Sequence, residues 1–323
     1  MTSKERTIAA IEFSSPDRVP VKLDVLDWEG HLQEPLSEYP TDIIHSAPGW
    51  YVEGCLPGVN IDNWHCKWTN IKAPALGQVT GHPLGDITKL LEYIPPDPID
   101  LDLSAAVKTS DKRGDKYLIL GYISLFERLI NLRGFEDLLV DMLSDRDNFL
   151  KMRDMVHYYN MRLVDRLLEL KPDGIFLADD WGSQISLLIN HNLWRELFKP
   201  LYKEIIKKIK TNGVHVFFHS DGYIIDILPD FIEIGVNVFW VEFGVNPISK
   251  LTEIAKNKAA FLALYDTQKI ECSLLDELRK HLDECFKIFA CKDGGFIGNY
   301  DLNYSKPNTL IREKWINHIR KPS

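Results

Sequence analysis

The chain has 323 residues, of which 45% are hydrophobic and 26% are charged, a composition that is typical of globular proteins and excludes a disordered chain. The formal net charge is −9, so the surface as a whole repels nucleic-acid phosphates and anionic membranes, and we expect neither as a partner. No apolar run of about 18 residues occurs that could span a bilayer. The five cysteines form no CxxC pair and residues 1–12 carry mixed charge, so we predict a cytoplasmic protein with reduced thiols.

The first third of the chain contains one clear strand and one long irregular segment. Arg18–Val25 is predicted to be a strand, because Pro20 is tolerated only near a strand start. Leu26–Pro98 is rich in Trp, Gly and Pro and poor in periodic apolar segments. We interpret residues 26–98 as an insertion that carries some short helix and covers the mouth of the domain, rather than as a second domain.

From Tyr117 onward, short apolar runs alternate with amphipathic stretches. The apolar runs predict buried strands at Tyr117–Ile123, Gly174–Ala178, Val214–His219, Val236–Glu242, Ala259–Tyr265 and Gly294–Ile297. The amphipathic stretches predict helices at Phe135–Leu143, Arg146–Glu169, Asn192–Thr211, Ile224–Ile234, Ser249–Lys256 and Leu274–Ala290. This alternation indicates a parallel sheet with helices outside. We predict a single (β/α)8 barrel, of the TIM type, over residues 1–323.

Polar side chains accumulate at the predicted carboxyl ends of the strands, which is where barrels of this type place catalytic groups. These positions are Asp24, Trp28, Asp179, Asp180, Trp181, Gln184, His219, Asp221, Glu242, Asp266 and Gln268. The motifs HExxH, P-loop and GxSxG are absent, and no glycine-rich loop follows a strand, so nucleotide binding has no support.

Several of these positions have a structural alternative. Asp180 could instead be the N-cap of the following helix, and Glu242 must be either buried and paired or placed at the mouth. His215 lies inside its strand, where a hydrogen-bonded core histidine is expected. His219 lies at the strand end and shares a face with Asp221, so both can point into the mouth. Such residues can bind a divalent cation or perform acid–base chemistry, and their spacing does not choose between the two.

A series of motifs spread over nearly the whole chain carries a family resemblance. They are Ser15–Pro20, Gly121–Arg128, Asp179–Gln184, Trp194–Pro200, His219–Gly222, Leu228–Val238, the strand end at Asp266, and Gly294–Ile297. In this combination they resemble the uroporphyrinogen decarboxylase superfamily. That superfamily also includes zinc-dependent methyltransferases that pass methyl groups to or from corrinoid proteins.

Two departures from the family patterns narrow the function that the resemblance implies. Decarboxylases of the family have an Arg-rich motif that binds the carboxylates of their substrate, whereas residues 21–27 contain no arginine and two acids. Methyltransferases of the family that activate thiols have His-x-Cys, whereas this chain has His219 and Asp221. The resemblance therefore implies a metal site with nitrogen and oxygen ligands, which binds zinc and admits other divalent ions.

The resemblance implies a methyltransferase that moves a methyl group from a methoxylated, aromatic or related small donor to the cobalamin of a separate corrinoid protein. A divalent metal, expected to be zinc, is assigned to His219, Glu242 and Asp221, and catalysis to His219, Asp221, Asp180 and Asp266. Substrate binding is assigned to Asp24, Trp28, Asp179, Trp181, Gln184 and Gln268, with further apolar walls from Trp50, Trp64 and Trp68 or, alternatively, plain packing of these rings. Two alternatives stay open: a lyase or decarboxylase that acts on a small acid, and a non-catalytic binding barrel.

Overall fold

Eight parallel strands close into a barrel in the computed structural model, which describes residues 1–24, 40–47, 56–71, 77–262, 275–289, 293–301 and 306–320. The barrel strands are β1 (Val21–Asp24), β2 (Ile43–Ser46), β6 (Tyr117–Ile123), β7 (Gly174–Ala178), β8 (His215–Ser220), β9 (Val238–Val241), β10 (Ala260–Leu262) and β11 (Phe296–Asp301). Each strand pairs with the next one in this order, and β11 pairs with β1. The predicted (β/α)8 fold class is confirmed.

The second barrel strand lies inside the segment that the sequence assigned wholly to an insertion. Ile43–Ser46 pairs with β1 on one side and with β6 on the other, so residues 26–98 are not only an insertion. A strand of four residues with two apolar members is too short for its period to be recognised. Asp42 fixes its position, because the carboxylate accepts hydrogen bonds from Arg18, from Arg6 and from the backbone N–H of Val21.

The helices of the described chain surround the barrel. They are α1 (Ser3–Ile11), α2 (Ser104–Asp111), α3 (Phe126–Arg133), α4 (Phe135–Ser144), α5 (Arg146–Glu169), α6 (His191–Leu197), α7 (Lys199–Thr211), α8 (Leu228–Ile234), α9 (Ile248–Ala255), α10 (Leu275–Phe289) and α11 (Lys306–Arg320). The helix predicted over Asn192–Thr211 is two helices that meet at Phe198. Pro200 causes this break, since proline lacks the N–H of a helix interior and fits the first turn of a new helix. No helix of the described residues is long and apolar enough to cross a membrane.

A small antiparallel sheet lies between β2 and β6 in the sequence. It consists of β3 (Gly58–Ile61), β4 (Lys67–Asn70) and β5 (Gln78–Gly81). Asp62, in the turn after β3, forms a buried ion pair with Arg128 of α3 at 2.8 Å and accepts a hydrogen bond from the Trp68 indole at 3.0 Å. The sheet is thus anchored on the helix that follows β6 at the carboxyl end of the barrel.

Aromatic rings fill the interior of the barrel. Phe176 of β7 lies near its centre, with ring centroids 5.1 Å from His45, 5.6 Å from Trp240 and 6.4 Å from His219. Below these rings, Phe217 packs against Tyr117 and is 1% exposed. The lower barrel is therefore a packed core.

Candidate functional site

Two adjacent strands bring Asp180, His219 and Asp221 together. Ala178 of β7 is in register with His219 of β8, and one residue farther the N–H of Asp179 donates to the carbonyl of His219 at 3.1 Å. The loops that follow the two strands therefore leave the barrel side by side. One ligand atom from each of Asp180, His219 and Asp221 lies within 4.8 Å of the others.

The three side chains face one another at short distances. Nε2 of His219 is 3.6 Å from Oδ1 of Asp221 and 3.9 Å from Oδ1 of Asp180. The N–H of Asp221 donates to that same Asp180 oxygen at 2.7 Å. In the part of the chain that the structure describes, no lysine or arginine forms an ion pair with either carboxylate. Two carboxylates that face an imidazole nitrogen are a suitable ligand set for a divalent cation.

The orientation of His219 is fixed by its second nitrogen. Nδ1 lies 3.0 Å from the backbone carbonyl of Trp240 on β9. Because a carbonyl oxygen can only accept, Nδ1 carries a hydrogen, and Nε2 is the ring nitrogen that faces Asp180 and Asp221. A backbone carbonyl behind a histidine is the usual support of a metal ligand, since it sets both the tautomer and the ring plane.

Two glycines allow the two loops to touch. A Cβ atom on Gly222 would lie 2.2 Å from the carbonyl oxygen of Gly182, and one on Gly182 would lie 2.3 Å from the nitrogen of Tyr223. The N–H of Tyr223 also donates to the carbonyl of Ser183 at 2.8 Å. This backbone contact keeps the loop of Asp180 against the loop of Asp221.

Asn246, a buried residue that was not predicted from the sequence, joins the β8 loop to the β9 loop. Its amide nitrogen donates to the carbonyls of Gly222 at 2.8 Å and Glu242 at 2.9 Å, and its oxygen accepts from the N–H of Ile224 at 3.0 Å. A buried amide with these three bonds stabilises one loop conformation, because an unpaired polar group there would be costly. The sequence held little signal for it, since Asn246 lies several residues beyond the strand.

Asp179 was predicted to bind substrate, but its side chain has the environment of a structural residue. The predicted role is therefore corrected. Its carboxylate is fully buried and accepts hydrogen bonds from the N–H groups of Leu125 and Glu127, both at 2.8 Å, and from the hydroxyl of Tyr202. Burial raises the pKa of Asp179 to about 7, although these hydrogen bonds act in the opposite direction. The side chain ties the start of α3 to the end of β7.

Trp181 is also wrongly predicted as a wall of the substrate pocket. Its ring is fully buried, stacks on Phe126 with centroids 4.1 Å apart, and packs edge-on against Phe198. Its indole N–H donates to the Tyr202 hydroxyl at 3.1 Å. The tryptophan therefore fills the space between the barrel and α3, because a large aromatic ring gains more by complete burial than at a wet edge.

The tryptophans of the 26–98 segment that the structure describes support the packing alternative. Trp64 is 1% exposed and packs edge-on against Tyr159 of α5, at 4.6 Å between centroids. Trp68 is 3% exposed and bonds to Asp62. Both rings are buried between the small sheet and the helices, and neither offers a surface to a substrate.

The other predicted site residues have different outcomes. Glu242 is buried just beyond the end of β9 and is not one of the three residues whose ligand atoms lie within 4.8 Å of one another, and its assignment as a ligand stays a prediction. Gln184 is exposed in a turn closed by Ser183 and Ser186, and its role stays a prediction. The backbone of Asp24 ends β1, whereas Trp28, Trp50, Asp266 and Gln268 lie outside the described residues.

The candidate metal ligands are accessible to a small molecule. The side chains of His219, Asp180 and Asp221 are 16%, 40% and 60% exposed, so the cluster opens toward solvent while the histidine is held inside. Desolvation raises the pKa of Asp221, His219 lowers it, and the negative charge of Asp180 raises it. A bound cation would relieve the repulsion between the two carboxylates.

Glu127 is a further acid beside this cluster that was not predicted from the sequence. It is the second residue of α3, and its carboxyl oxygen Oε2 is buried without a hydrogen-bond partner. Burial raises its pKa well above the ordinary value, and the charges of Asp180 and Asp179 add to this effect. The signal was present, because Glu127 comes after the carboxyl end of β6 as Asp180 comes after that of β7.

Comparison with known proteins places this geometry in a family. The model of the uroporphyrinogen decarboxylase (URO-D) family matches residues 81–300. A methyltransferase from Methanosarcina mazei has a similar structure, with a TM-score of 0.70 and 15% sequence identity, over 98% of this chain and 99% of that one. An endo-β-1,4-xylanase from Gloeophyllum trabeum aligns over 72% of this chain and 90% of its own, with a TM-score of 0.41 and 10% identity. No curated protein sequence matches the chain.

The family match spans more than half of the chain, and it includes α3, the strands β6 to β11 and all three candidate metal ligands. The similarity to the Methanosarcina mazei structure, which covers 98% of this chain, shows the same fold. The motifs Asp179–Gln184 and His219–Gly222, which carried the resemblance, form the loops that meet at Gly182 and Gly222. The chain therefore belongs to the uroporphyrinogen decarboxylase family.

Proposed function

We propose that the protein is a metal-dependent methyltransferase, which moves a methyl group from a methoxylated small molecule to the cobalt of a separate corrinoid protein. The observation that carries the proposal is the convergence of Asp180, His219 and Asp221 at the carboxyl end of the barrel. The Methanosarcina mazei protein that has a similar fold is described as a methyltransferase, and this supports the same reaction class.

The ligand set suits activation of an ether oxygen. Asp180, His219 and Asp221 would hold a divalent cation, and three protein ligands is the number that catalytic zinc sites have. A divalent cation held there supplies Lewis acidity, which stabilises negative charge on the oxygen from which the methyl group departs. The carbonyl of Trp240 keeps Nε2 of His219 directed at the site, and the contact between Gly182 and Gly222 keeps the two aspartates at a fixed separation.

The residue two positions after His219 is an aspartate and not a cysteine, which supports an oxygen donor rather than a thiol donor. Where thiol-activating relatives place a cysteine, this chain has Asp221, so the ligands are one nitrogen and two oxygens. Such a set binds several divalent ions and releases them readily. Zinc is the metal we expect, with other divalent ions as functional substitutes.

The function is tested by incubating the purified protein with free cob(I)alamin and a panel of methoxylated aromatic compounds. We expect methylcobalamin to form, to disappear after chelation, and to return with zinc or another divalent ion. Alkylation of the cysteines should leave the rate largely intact, since the ligand set found among the described residues contains no cysteine. Full activity in metal-free protein would contradict the proposal and favour acid–base chemistry on a small acid.

A further inference from the structure

Three consecutive strands of the barrel contribute an acid to the same corner of the mouth. Glu127 comes after β6, Asp180 after β7, and Asp221 after β8, and these strands are neighbours in the barrel. The N–H of Glu127 is held at 2.8 Å by the carboxylate of Asp179, the residue directly before Asp180. The first turn of α3 is therefore fixed next to the candidate metal ligands.

The carboxyl group of Glu127 has no structural task that accounts for its position. Oε2 is buried and without a hydrogen-bond partner, which is unfavourable for a polar group. By contrast, Asp179 uses both oxygens to accept hydrogen bonds, and Asp180 holds the N–H of Asp221. Glu127 is thus the acid of this corner that can form a new hydrogen bond to a ligand in the site.

We propose that the carboxylic acid of Glu127 is the general acid that protonates the departing oxygen of the methyl donor. This inference rests on the proposed methyl transfer. In that step the bond between the methyl carbon and the ether oxygen breaks, and its electron pair stays on the oxygen. Cobalt(I) of the corrinoid supplies the electron pair of the new cobalt–carbon bond and becomes cobalt(III). Glu127 gives its proton to the oxygen, is left as a carboxylate, and takes a proton from water before the next turnover.

The charges at the site favour a neutral Glu127 before the reaction. Asp180 and Asp221 together balance a divalent cation, and a third ionised carboxylate beside them would add an uncompensated negative charge. Burial raises the pKa of Glu127, as do the charges of Asp180, Asp179 and Asp221, whereas Arg128 lowers it. A carboxylic acid that is buried beside other carboxylates can donate a proton to an oxygen that gains negative charge.

The test compares Glu127→Gln with a matched control, Glu136→Gln. Glu136 is likewise the second residue of a helix, α4, and likewise comes directly after a phenylalanine, but its side chain is exposed. Single-turnover methyl transfer to cob(I)alamin is measured with aryl methyl ethers whose phenols differ in acidity. We expect Glu127→Gln to be slowed about 100-fold for donors with basic leaving groups and little for donors with acidic ones. In the wild type and in Glu136→Gln, the rate should depend only weakly on the acidity of the leaving group.

Two measurements separate this role from a structural one. The metal content of Glu127→Gln should equal that of the wild type, and an infrared band of a protonated carboxylic acid should be present at neutral pH in the wild type and absent in Glu127→Gln. Equal rates and equal leaving-group dependence in wild type and Glu127→Gln would overturn the acid role while the proposed function stands. If the rate depended steeply on leaving-group acidity in Asp266→Asn and not in Glu127→Gln, the acid role of Glu127 would also be overturned. The proton would then be assigned to Asp266. Absence of methyl transfer in the wild type would overturn both proposals.

Discussion

Two histidines of one strand illustrate how position decides the role of a residue. His215 and His219 are four residues apart on β8 and point to the same side of the strand. At the lower end of the barrel, Nδ1 of His215 is 2.8 Å from the Tyr117 hydroxyl, and burial lowers its pKa, so the expectation of a core histidine is confirmed. At the upper end, Nε2 of His219 faces two carboxylates.

Substitution of His219 should separate chemistry from folding. We expect His219→Ala to lose metal binding and methyl transfer with a small change in the free energy of unfolding, because its ring lies at the mouth. Phe217→Ala should instead cost about 3–5 kcal/mol of stability, since this ring is buried in the barrel. Metal content and denaturant unfolding of both variants check this. A stable, fully active His219→Ala protein would remove the histidine from the site.

The glycine contact offers a second residue-scale prediction with a close control. Gly222 and Gly213 both have φ near +72°, but a Cβ on Gly222 would meet the backbone of Gly182, whereas a Cβ on Gly213 would meet nothing within 4 Å. Gly213→Ala should therefore cost only about 1–2 kcal/mol for the left-handed backbone. Gly222→Ala should in addition push the two loops apart and weaken metal binding at least tenfold. Equal metal affinity in the two variants, measured by calorimetry, would contradict a role of the Gly182–Gly222 contact in holding the metal ligands.

At the scale of elements, the strands were more predictable from the sequence than the roles of the residues in the loops after them. The strands Tyr117–Ile123 and Gly174–Ala178 have the predicted bounds, because long buried runs leave little choice. The strand-end rule also located Asp180, His219 and Asp221. It could not tell Asp179 from Asp180, since which of two adjacent aspartates turns inward depends on the backbone N–H groups of α3, a helix distant in sequence.

The attachment of the small sheet to α3 should depend on one ion pair. Asp62→Ala removes the carboxylate that Arg128 contacts inside the protein, and we expect a loss of about 3–5 kcal/mol in the free energy of unfolding. Asp137→Ala is the control, because this carboxylate pairs with Arg133 on the exposed side of a helix and should contribute about 0.5 kcal/mol or less. Similar losses in the two variants would show that the Asp62 pair does not anchor the sheet.

At the scale of the whole molecule, the barrel is closed by a strand that the sequence did not reveal. The alternation of strands and helices predicted a parallel barrel, yet β2 was included in the 26–98 insertion. The position of β2 depends on residues that are distant in the sequence, because the carboxylate of Asp42 forms ion pairs with Arg6 and Arg18. It does not depend on a local pattern. The periodicity of apolar residues in a short segment does not reveal such contacts.

The stability of the barrel should depend on pH through His45 of β2. Nε2 of His45 bonds to the carbonyl of Gly121, and burial together with the charge of Lys22 lowers its pKa from 6.5 to about 3. Below pH 6.5 the unfolded chain binds a proton that the folded chain does not, so stability falls as the pH decreases from 6.5 toward 3. Between about pH 6.5 and about pH 4.5 this loss should be on the order of 2 kcal/mol. Urea unfolding of His45→Gln should show a smaller loss of stability over this pH range. An unchanged loss would mean that His45 is not the responsible group.

The central claim, that Asp180, His219 and Asp221 form a metal centre, is tested most directly by anomalous X-ray diffraction from crystals grown with zinc. We expect one strong peak at the zinc edge, about 2.0–2.2 Å from Nε2 of His219 and from a carboxylate oxygen of each aspartate. Crystals of His219→Ala grown in the same way should lack this peak. A map without a peak at these three residues, or with zinc bound by cysteine sulfur elsewhere, would contradict the assignment.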